Sequence, residues 1–532
     1  MATKRHKEAR RSFGLGAGCR YWSLSGMLLA VLLAVPCYGA EGASSSELVK
    51  ELRGFADQLI EHGRDRYGAK KTPLFVSQLD IDTRQIPPAD TVLYGQGHRG
   101  GAGPTMNNLQ FDSGLIRLLD TLSEVTGDRK YAQVVDEYLD YYLANLPEGK
   151  TGFFPWGDHR GYDVVADETI KANHEFKNIY PPWERFYEIN PAAVTRQIES
   201  LKLHIYDESR SWAFSRHYPS GHGIPHSMNS SGGAYIVAWS FLYKKTGDPK
   251  YLEWANRMTD YFWSVRNPET NLLAAHPADP AYPKSLSDKR ARLRASRTEY
   301  MGQLTTFSQH LLRAADLLGP EDGRKQRTQA LAYIRAMTDR MDIQEDGSFF
   351  ATFDLTSGKP LFPRIRNGWQ FVSQQDERFP WSNSVLGIRA PIMLAFACKM
   401  TGEGDLKETF DRFLPLYELE TFGCDSPRRE LPAGLMAQAI TSFLNMYQAT
   451  GEQVYLDHGQ MLAAYARKHY FVDGWVVCGP PLLERYQDKR VNTWRLYCNR
   501  GGSPELGLTL LRLHLVATGQ EDLVVDNPMA YF

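Results

Sequence analysis

The residues able to do chemistry crowd into one stretch of this chain. Between Trp156 and His226 stand Trp156-Gly157-Asp158-His159, then His174-Glu175, then Arg216-His217, with His204 among them and His222 and His226 just beyond. Six of the fourteen histidines fall there. A single histidine is most often a hydrogen-bonded core residue. Several beside carboxylates, in aromatic and glycine-rich segments, offer the mixed imidazole and carboxylate donors of a metal site. Such donors suit a divalent transition metal (Mn, Co, Ni or Zn) rather than Ca, which takes all-oxygen shells. His174-Glu175 lacks a second histidine at the offset of a helical HExxH site, and neither GxSxG nor a phosphate-binding glycine loop occurs. Metalloprotease, serine hydrolase and nucleotide chemistry are therefore unsupported.

Arginines recur in later segments at Arg292, Arg294, Arg297, Arg364, Arg366, Arg378, Arg428, Arg429 and Arg500. The chain as a whole carries a net charge of -1, so no basic field speaks for nucleic acid. A local groove of arginines is what a polyanion carrying carboxylates would need, because the guanidinium fork matches that geometry. Aromatics make up 12% of the residues, with 28 Tyr and 11 Trp. Most belong in a helical core; Trp369, Trp381 and Trp475 are the ones expected to serve as platforms for the apolar faces of sugar rings.

The elements that must position these groups announce themselves by repetition. Thr126-Gly127-Asp128 leads to Tyr131, and Thr246-Gly247-Asp248 leads to Tyr251. Thr401-Gly402, Thr450-Gly451 and Thr518-Gly519 restart the phrase. Leu115, Leu118, Leu119, Leu122 and Val125 share one helical face before the first phrase, and Tyr131, Val134, Val135, Tyr138 and Tyr142 share one after it. Glycine suits the left-handed end of a helix, so the unit reads as helix, turn, helix. The exits of the second helices repeat as well, at Thr151-Gly152-Phe153-Phe154, Asn271-Leu272-Leu273, Asp346-Gly347-Ser348-Phe349-Phe350 and Asp473-Gly474-Trp475. Long loops at 80–107 and 152–183 follow the same rhythm. An all-α chain of about six to seven hairpins, closed into an (α/α) toroid from residue 41 to 532 with no separate β-domain, is the expected fold. The inter-hairpin loops would then gather at one mouth and carry function.

Residues 1–40 read differently. Lys4, Arg5, Lys7, Arg10 and Arg11 precede the apolar run Met27–Val35 and the small residues Gly39 and Ala40. This is a signal-peptide pattern, too short for a membrane span; Arg10-Arg11-Ser12-Phe13 leaves the twin-arginine route open beside ordinary secretion. An exported protein, periplasmic or extracellular and without a membrane span, is expected. Cys398, Cys424, Cys478 and Cys498 remain after the leader, with three possible pairings and no zinc-knuckle spacing.

The order of Trp156-Gly157-Asp158-His159, His174-Glu175 and Phe214-Ser215-Arg216-His217 within a hairpin-repeat chain resembles the pectate lyases of polysaccharide lyase family 2. The resemblance covers roughly residues 93–230 in motif. It implies a seven-hairpin toroid and a transition metal held by two histidines and a glutamate. By position, His159, Glu175 and His217 would be the ligands, with His174 competing for the place of His159, and Arg216 would be the catalytic base. An acidic polysaccharide or oligosaccharide substrate would meet His174, Arg364, Arg366, Arg378, Arg500 and Trp369. Two other readings stand beside it. An unsaturated uronyl hydrolase or related toroid glycosidase would draw a carboxylate pair from Asp112, Asp158, Asp163 and Glu184. A non-catalytic carbohydrate-binding protein would need neither metal nor base.

Overall fold

The computed structural model describes residues 45–88, 103–170, 173–176, 178, 180–217, 227–283, 289–374, 377, 383–423, 431–479 and 492–523. The expected signal segment, Cys424 and Arg378 lie outside the described residues.

Four of the five Thr-Gly phrases, at Thr126, Thr246, Thr401 and Thr450, end one helix and lead into its partner. The first helix, α1, spans Ser45–His62; α2 (Ser113–Thr126) then turns into α3 (Lys130–Asn145), and α4 (Trp183–Ile189) into α5 (Pro191–Ser200). Next, α6 (Asn229–Thr246) pairs with α7 (Pro249–Ser264). A short α8 (Lys289–Ala295) and a π-helical stretch, Met301–Phe307, lead into α9 (Ser308–Asp322) and α10 (Arg324–Thr338). The later hairpins are α11 (Arg389–Thr401) with α12 (Gly404–Arg412) and α13 (Ala433–Thr450) with α14 (Gln453–Tyr470), followed by α15 (Ser503–Ala517).

The threonine of the phrase has a role that its glycine cannot fill. Thr126, Thr246, Thr401 and Thr450 donate their hydroxyls to the carbonyls four residues back, at 2.6–2.8 Å. The same oxygens accept the backbone N–H two residues on, at 3.1–3.4 Å. The intervening glycines all sit near φ +70°, with open space where a Cβ would stand. Their requirement is therefore backbone conformation, not room. Asp248 continues the pattern by capping α7 through the Lys250 N–H at 3.0 Å, with Pro249 in the first turn.

The hairpins close a ring. α6 packs on α9, α9 on α11, α11 on α13, α13 on α15, and α15 on α2, while the α4–α5 hairpin fills the gap between α3 and α6. α15 also packs on α1, from the other end of the chain, so that among the described residues seven helical pairs complete an α/α toroid. The strand Gln78–Asp80 reinforces this closure by pairing antiparallel with Leu496–Cys498. Burial separates inner from outer helices. α6 is buried continuously from Asn229 to Leu242, and α13 from Ala433 to Met446, whereas α7 buries only one face. Strands among the described residues are two to four residues long and lie in connecting segments. Cys398, Cys478 and Cys498 are buried free thiols. No helix of the described residues is long and apolar enough to cross a membrane.

Candidate metal centre

Three connecting segments bring the site together. The first carries His159. Gly157, at φ +88°, approaches the Glu175 carbonyl so closely that a Cβ there would stand 2.4 Å from that oxygen. Buried Asn108 fastens the turn, donating to the Gly157 and Arg160 carbonyls at 2.8 and 3.0 Å and accepting the Gly157 N–H at 3.2 Å. Trp156, fully buried, stacks on Phe176 at 5.1 Å and 17°. The second segment alternates. His174 and Phe176 face the core, and Glu175 between them faces the other way, toward His159 and His217.

The third segment carries Arg216 and His217 just beyond the strand Ser211–Phe214. Successive residues of an extended chain point to opposite sides, yet both of these reach Oε1 of Glu175. A bend at Ser215 reconciles the two facts. Its hydroxyl accepts the His217 N–H and donates to the His217 carbonyl, both at 3.2 Å. Residues 218–226, which follow His217, are outside those described.

Glu175 is 1% exposed and stands at the centre. Its Oε2 lies 3.3 Å from His159 Nε2, and its Oε1 lies 3.3 Å from His217 Nε2 and 3.2 Å from an Arg216 guanidinium nitrogen. The two imidazoles meet edge to face at 5.3 Å and 81°. Ligand atoms of His159, Glu175 and His217 all fall within 4.8 Å of one another. Metal bonds of about 2.1 Å at tetrahedral or octahedral angles place neighbouring donors about 3.0–3.4 Å apart. The two 3.3 Å spacings and the donor types are those a divalent transition metal takes, and three such ligands would leave positions open for another group. Arg216 also touches Met228 Sδ at 3.2 Å, which sets it beside the start of α6.

His174 is corrected in role. It is wholly buried, stacked on Phe153 at 4.0 Å, with both ring nitrogens engaged by Trp156 and His204, so it reaches neither a metal in this site nor a substrate. Burial, and then the neighbouring His204, pushes its imidazole well below the ordinary range; burial likewise pushes His204 down to about 3. Trp369 is corrected as well. It is 3% exposed, donates its indole N–H to the Tyr417 carbonyl at 2.9 Å, and packs on Tyr417 and Phe422, leaving no face for a sugar. Arg364 is held by Asp342 and lies over the Phe350 ring, and Arg366 is exposed; their described contacts are with other residues than the metal group. Arg500 is paired at 3.0 Å with Asp158, the residue before His159.

Two contributors escaped sequence reasoning. Asn108 has no motif around it, and its only signal is an asparagine in an Asn-Asn pair ahead of a helix. His204 was visible merely as one more histidine. Asp112 is fully buried, accepting hydrogen bonds from Asn107, Tyr138 and Asn499 at 2.7–2.9 Å, and burial raises its carboxyl to about 7. It cannot serve as half of a glycosidase pair in contact with a sugar.

The profile of the family described as periplasmic pectate lyase matches residues 72–341, just over half of the chain. The chain belongs to that family. A pectate disaccharide-lyase of Dickeya dadantii (strain 3937) is 25% identical over 231 residues, covering 38% of this chain; the chain spans only 41% of that relative's length. Among solved structures, an unsaturated glucuronyl hydrolase from Bacillus sp. GL1 is 14% identical, with 90% of this chain and 98% of that one covered, at a TM-score of 0.43. A sugar epimerase from a ruminal bacterium is 12% identical, with 91% and 99% covered, at 0.47. Likeness at that level assigns neither activity nor substrate.

Proposed function

We propose that this chain is an exported polysaccharide lyase that cleaves a 4-linked polyuronate, pectate foremost, by metal-assisted β-elimination. One observation carries the reading: two imidazoles and a guanidinium converge on the single buried carboxylate of Glu175. His159, Glu175 and His217 would hold a divalent transition metal. Bound there, the ion would supply Lewis-acid charge to the substrate's C6 carboxylate. The rest falls to the chain. Arg216, held against Glu175 and Met228, accepts the C5 proton on a guanidine nitrogen. The C5–H electrons form the C4–C5 double bond, the C4–O4 bond breaks, and O4 leaves with its electron pair to be protonated. No water is consumed. Arg500, paired with Asp158, would fork a neighbouring uronate carboxylate.

The test is incubation of the full chain with a panel of polyuronates, reading the absorbance of the conjugated product. Rising absorbance on polygalacturonate, lost in a chelator and restored by Mn²⁺ or Co²⁺ but not Ca²⁺, is the expected result. A loss of absorbance from oligosaccharides that already carry the double bond would instead identify a uronyl hydrolase.

A further inference from the structure

A second feature ties the three ligand-bearing segments together behind the site. Trp156 Nε1 lies 3.3 Å from His174 Nε2, His174 Nδ1 lies 2.9 Å from His204 Nε2, and His204 Nδ1 lies 2.7 Å from the Ser215 carbonyl oxygen. Trp156, His174, His204 and Ser215 are all at most 4% exposed. The ends of this chain of bonds fix its direction. An indole N–H only donates, and a carbonyl only accepts. His174 must therefore accept at Nε2 and donate from Nδ1, and His204 must do the same. Both imidazoles are neutral, with the proton on Nδ1, an assignment made from the donor inventory.

The same chemistry excludes two other roles. Both ring nitrogens of each histidine are used in the chain, so neither histidine is a ligand. A carbonyl oxygen ends the sequence, so no proton can be relayed through it to a reacting group. What remains is position. Trp156 lies three residues before His159, His174 adjoins Glu175, and Ser215 adjoins Arg216 and shapes the turn of His217. His204 belongs to the short helical turn Leu201–His204 that follows α5, so it is rooted in the hairpin scaffold and not in the loops it joins. It grips Ser215 twice, since its own carbonyl accepts the Ser215 N–H at 2.9 Å. Phe153, stacked on His174 at 15°, fixes the ring plane of the middle member.

We infer that His174 and His204 are positioning residues that hold His159, Glu175 and His217 at metal-binding distance, through one directed hydrogen-bond chain from Trp156 to Ser215. The inference rests on the metal reading proposed above. Groups behind metal ligands typically change metal affinity or activity about 10- to 100-fold when removed. The closing experiment measures Mn²⁺ affinity by calorimetry, and the visible spectrum of the Co²⁺-loaded protein, in the full-length wild type, His204→Phe, His174→Phe, the double variant and Glu175→Gln. Expected are a loss of about 10- to 100-fold in each phenylalanine variant and a changed Co²⁺ spectrum at saturation. The double variant should be little weaker than either single one, because both break the same chain. Wild-type affinity and spectrum in His204→Phe and His174→Phe, with binding weakened by about 10²-fold or more in Glu175→Gln, would overturn the positioning role alone. Equal, weak binding by wild type and Glu175→Gln would overturn the metal reading and this inference with it. His204→Asn, which keeps a donor for the Ser215 carbonyl and cuts only the link to His174, serves if the phenylalanine variants do not fold. Nitrogen-15 spectra of the histidine-labelled wild type supply a check without substitution. Two neutral imidazoles protonated on Nδ1, the tautomer less favoured in water, support the chain; an Nε2-protonated His174 or His204 overturns it.

Discussion

Replacing Gly157 with alanine adds one methyl group at a residue with no side chain in the chemistry, and it should disable the site. Two costs combine. At φ +88° an L-residue is strained by about 1–2 kcal/mol. The new Cβ would also stand 2.4 Å from the Glu175 carbonyl oxygen, where an ordinary contact begins near 3.4 Å, so the turn must retreat by about 0.6–1 Å. Forcing an overpacked contact adds about 1–3 kcal/mol, for a total of roughly 2–5 kcal/mol. The retreat separates the His159 loop from the Glu175 segment, stretching a donor spacing now at 3.3 Å toward about 4 Å. Metal sites hold their distances to within about 0.2 Å, and a misplacement of about 1 Å can cost about 10²-fold in rate. Gly127→Ala is the matched control, because its φ of +69° carries the same strain with nothing within 4 Å of the added methyl. Scanning calorimetry, Mn²⁺ titration and the double-bond absorbance assay should find Gly127→Ala destabilised by about 1–2 kcal/mol, with metal binding and turnover intact. Gly157→Ala should lose at least about tenfold in metal affinity and about 10²-fold in rate. Indistinguishable metal affinity and turnover in the two variants would refute the argument from close approach.

Other outcomes follow from the same geometry. Glu175→Gln removes the carboxylate shared by three partners and should weaken Mn²⁺ binding by about 10²–10³-fold in a calorimetric titration, the equivalent of about 3–4 kcal/mol. Arg216→Lys keeps a charge and loses the fork. If Arg216 is the base, kcat should fall nearly to nothing with metal content unchanged by atomic absorption, whereas a rise in KM alone would make it a carboxylate contact. Arg500→Gln should raise KM for polyuronate several-fold while leaving Mn²⁺ affinity as it is, and unchanged KM would remove Arg500 from the substrate site. Asp112 has a folded-state carboxyl raised to about 7 from an ordinary value near 4. Its contribution to stability is therefore complete below about pH 4 and is lost as pH rises through about 7, by at most about 4 kcal/mol. Denaturation series across that window should show a smaller decline in Asp112→Asn, whatever constant offset the substitution brings.

What the sequence could and could not disclose turns on direction. The Thr-Gly phrases were legible because their cause is local: the threonine hydroxyl and the left-handed glycine act within six residues, so the copies at Thr126, Thr246, Thr401 and Thr450 look alike. The ligand segments were legible as residue types at a spacing, and the structure brings His159, Glu175 and His217 within 4.8 Å. The choice between His159 and His174 was open because residue type says nothing about where a side chain points. One elementary rule would have decided it. In an extended segment His174 and Glu175 face opposite ways, so a glutamate in the site places its neighbour in the core, beside Phe176 and Trp156. Applied to Arg216-His217, the same rule fails, since a serine hydroxyl folds the chain there and sends both side chains to one carboxylate. Trp369 and Arg500 illustrate the other barrier. Whether an indole faces a sugar or a carbonyl depends on Tyr417, 48 residues away, and Arg500 meets Asp158 only once the toroid has closed. The ring also explains why the site sits where it does. His159, Glu175 and His217 come from connections on either side of the α4–α5 hairpin, and His204, in the turn after α5, is bonded to two of the three segments that carry them. A hairpin shortened by a turn there would leave every ligand residue in place and still separate them, which is why the scaffold around His204 belongs to the site as much as its ligands do.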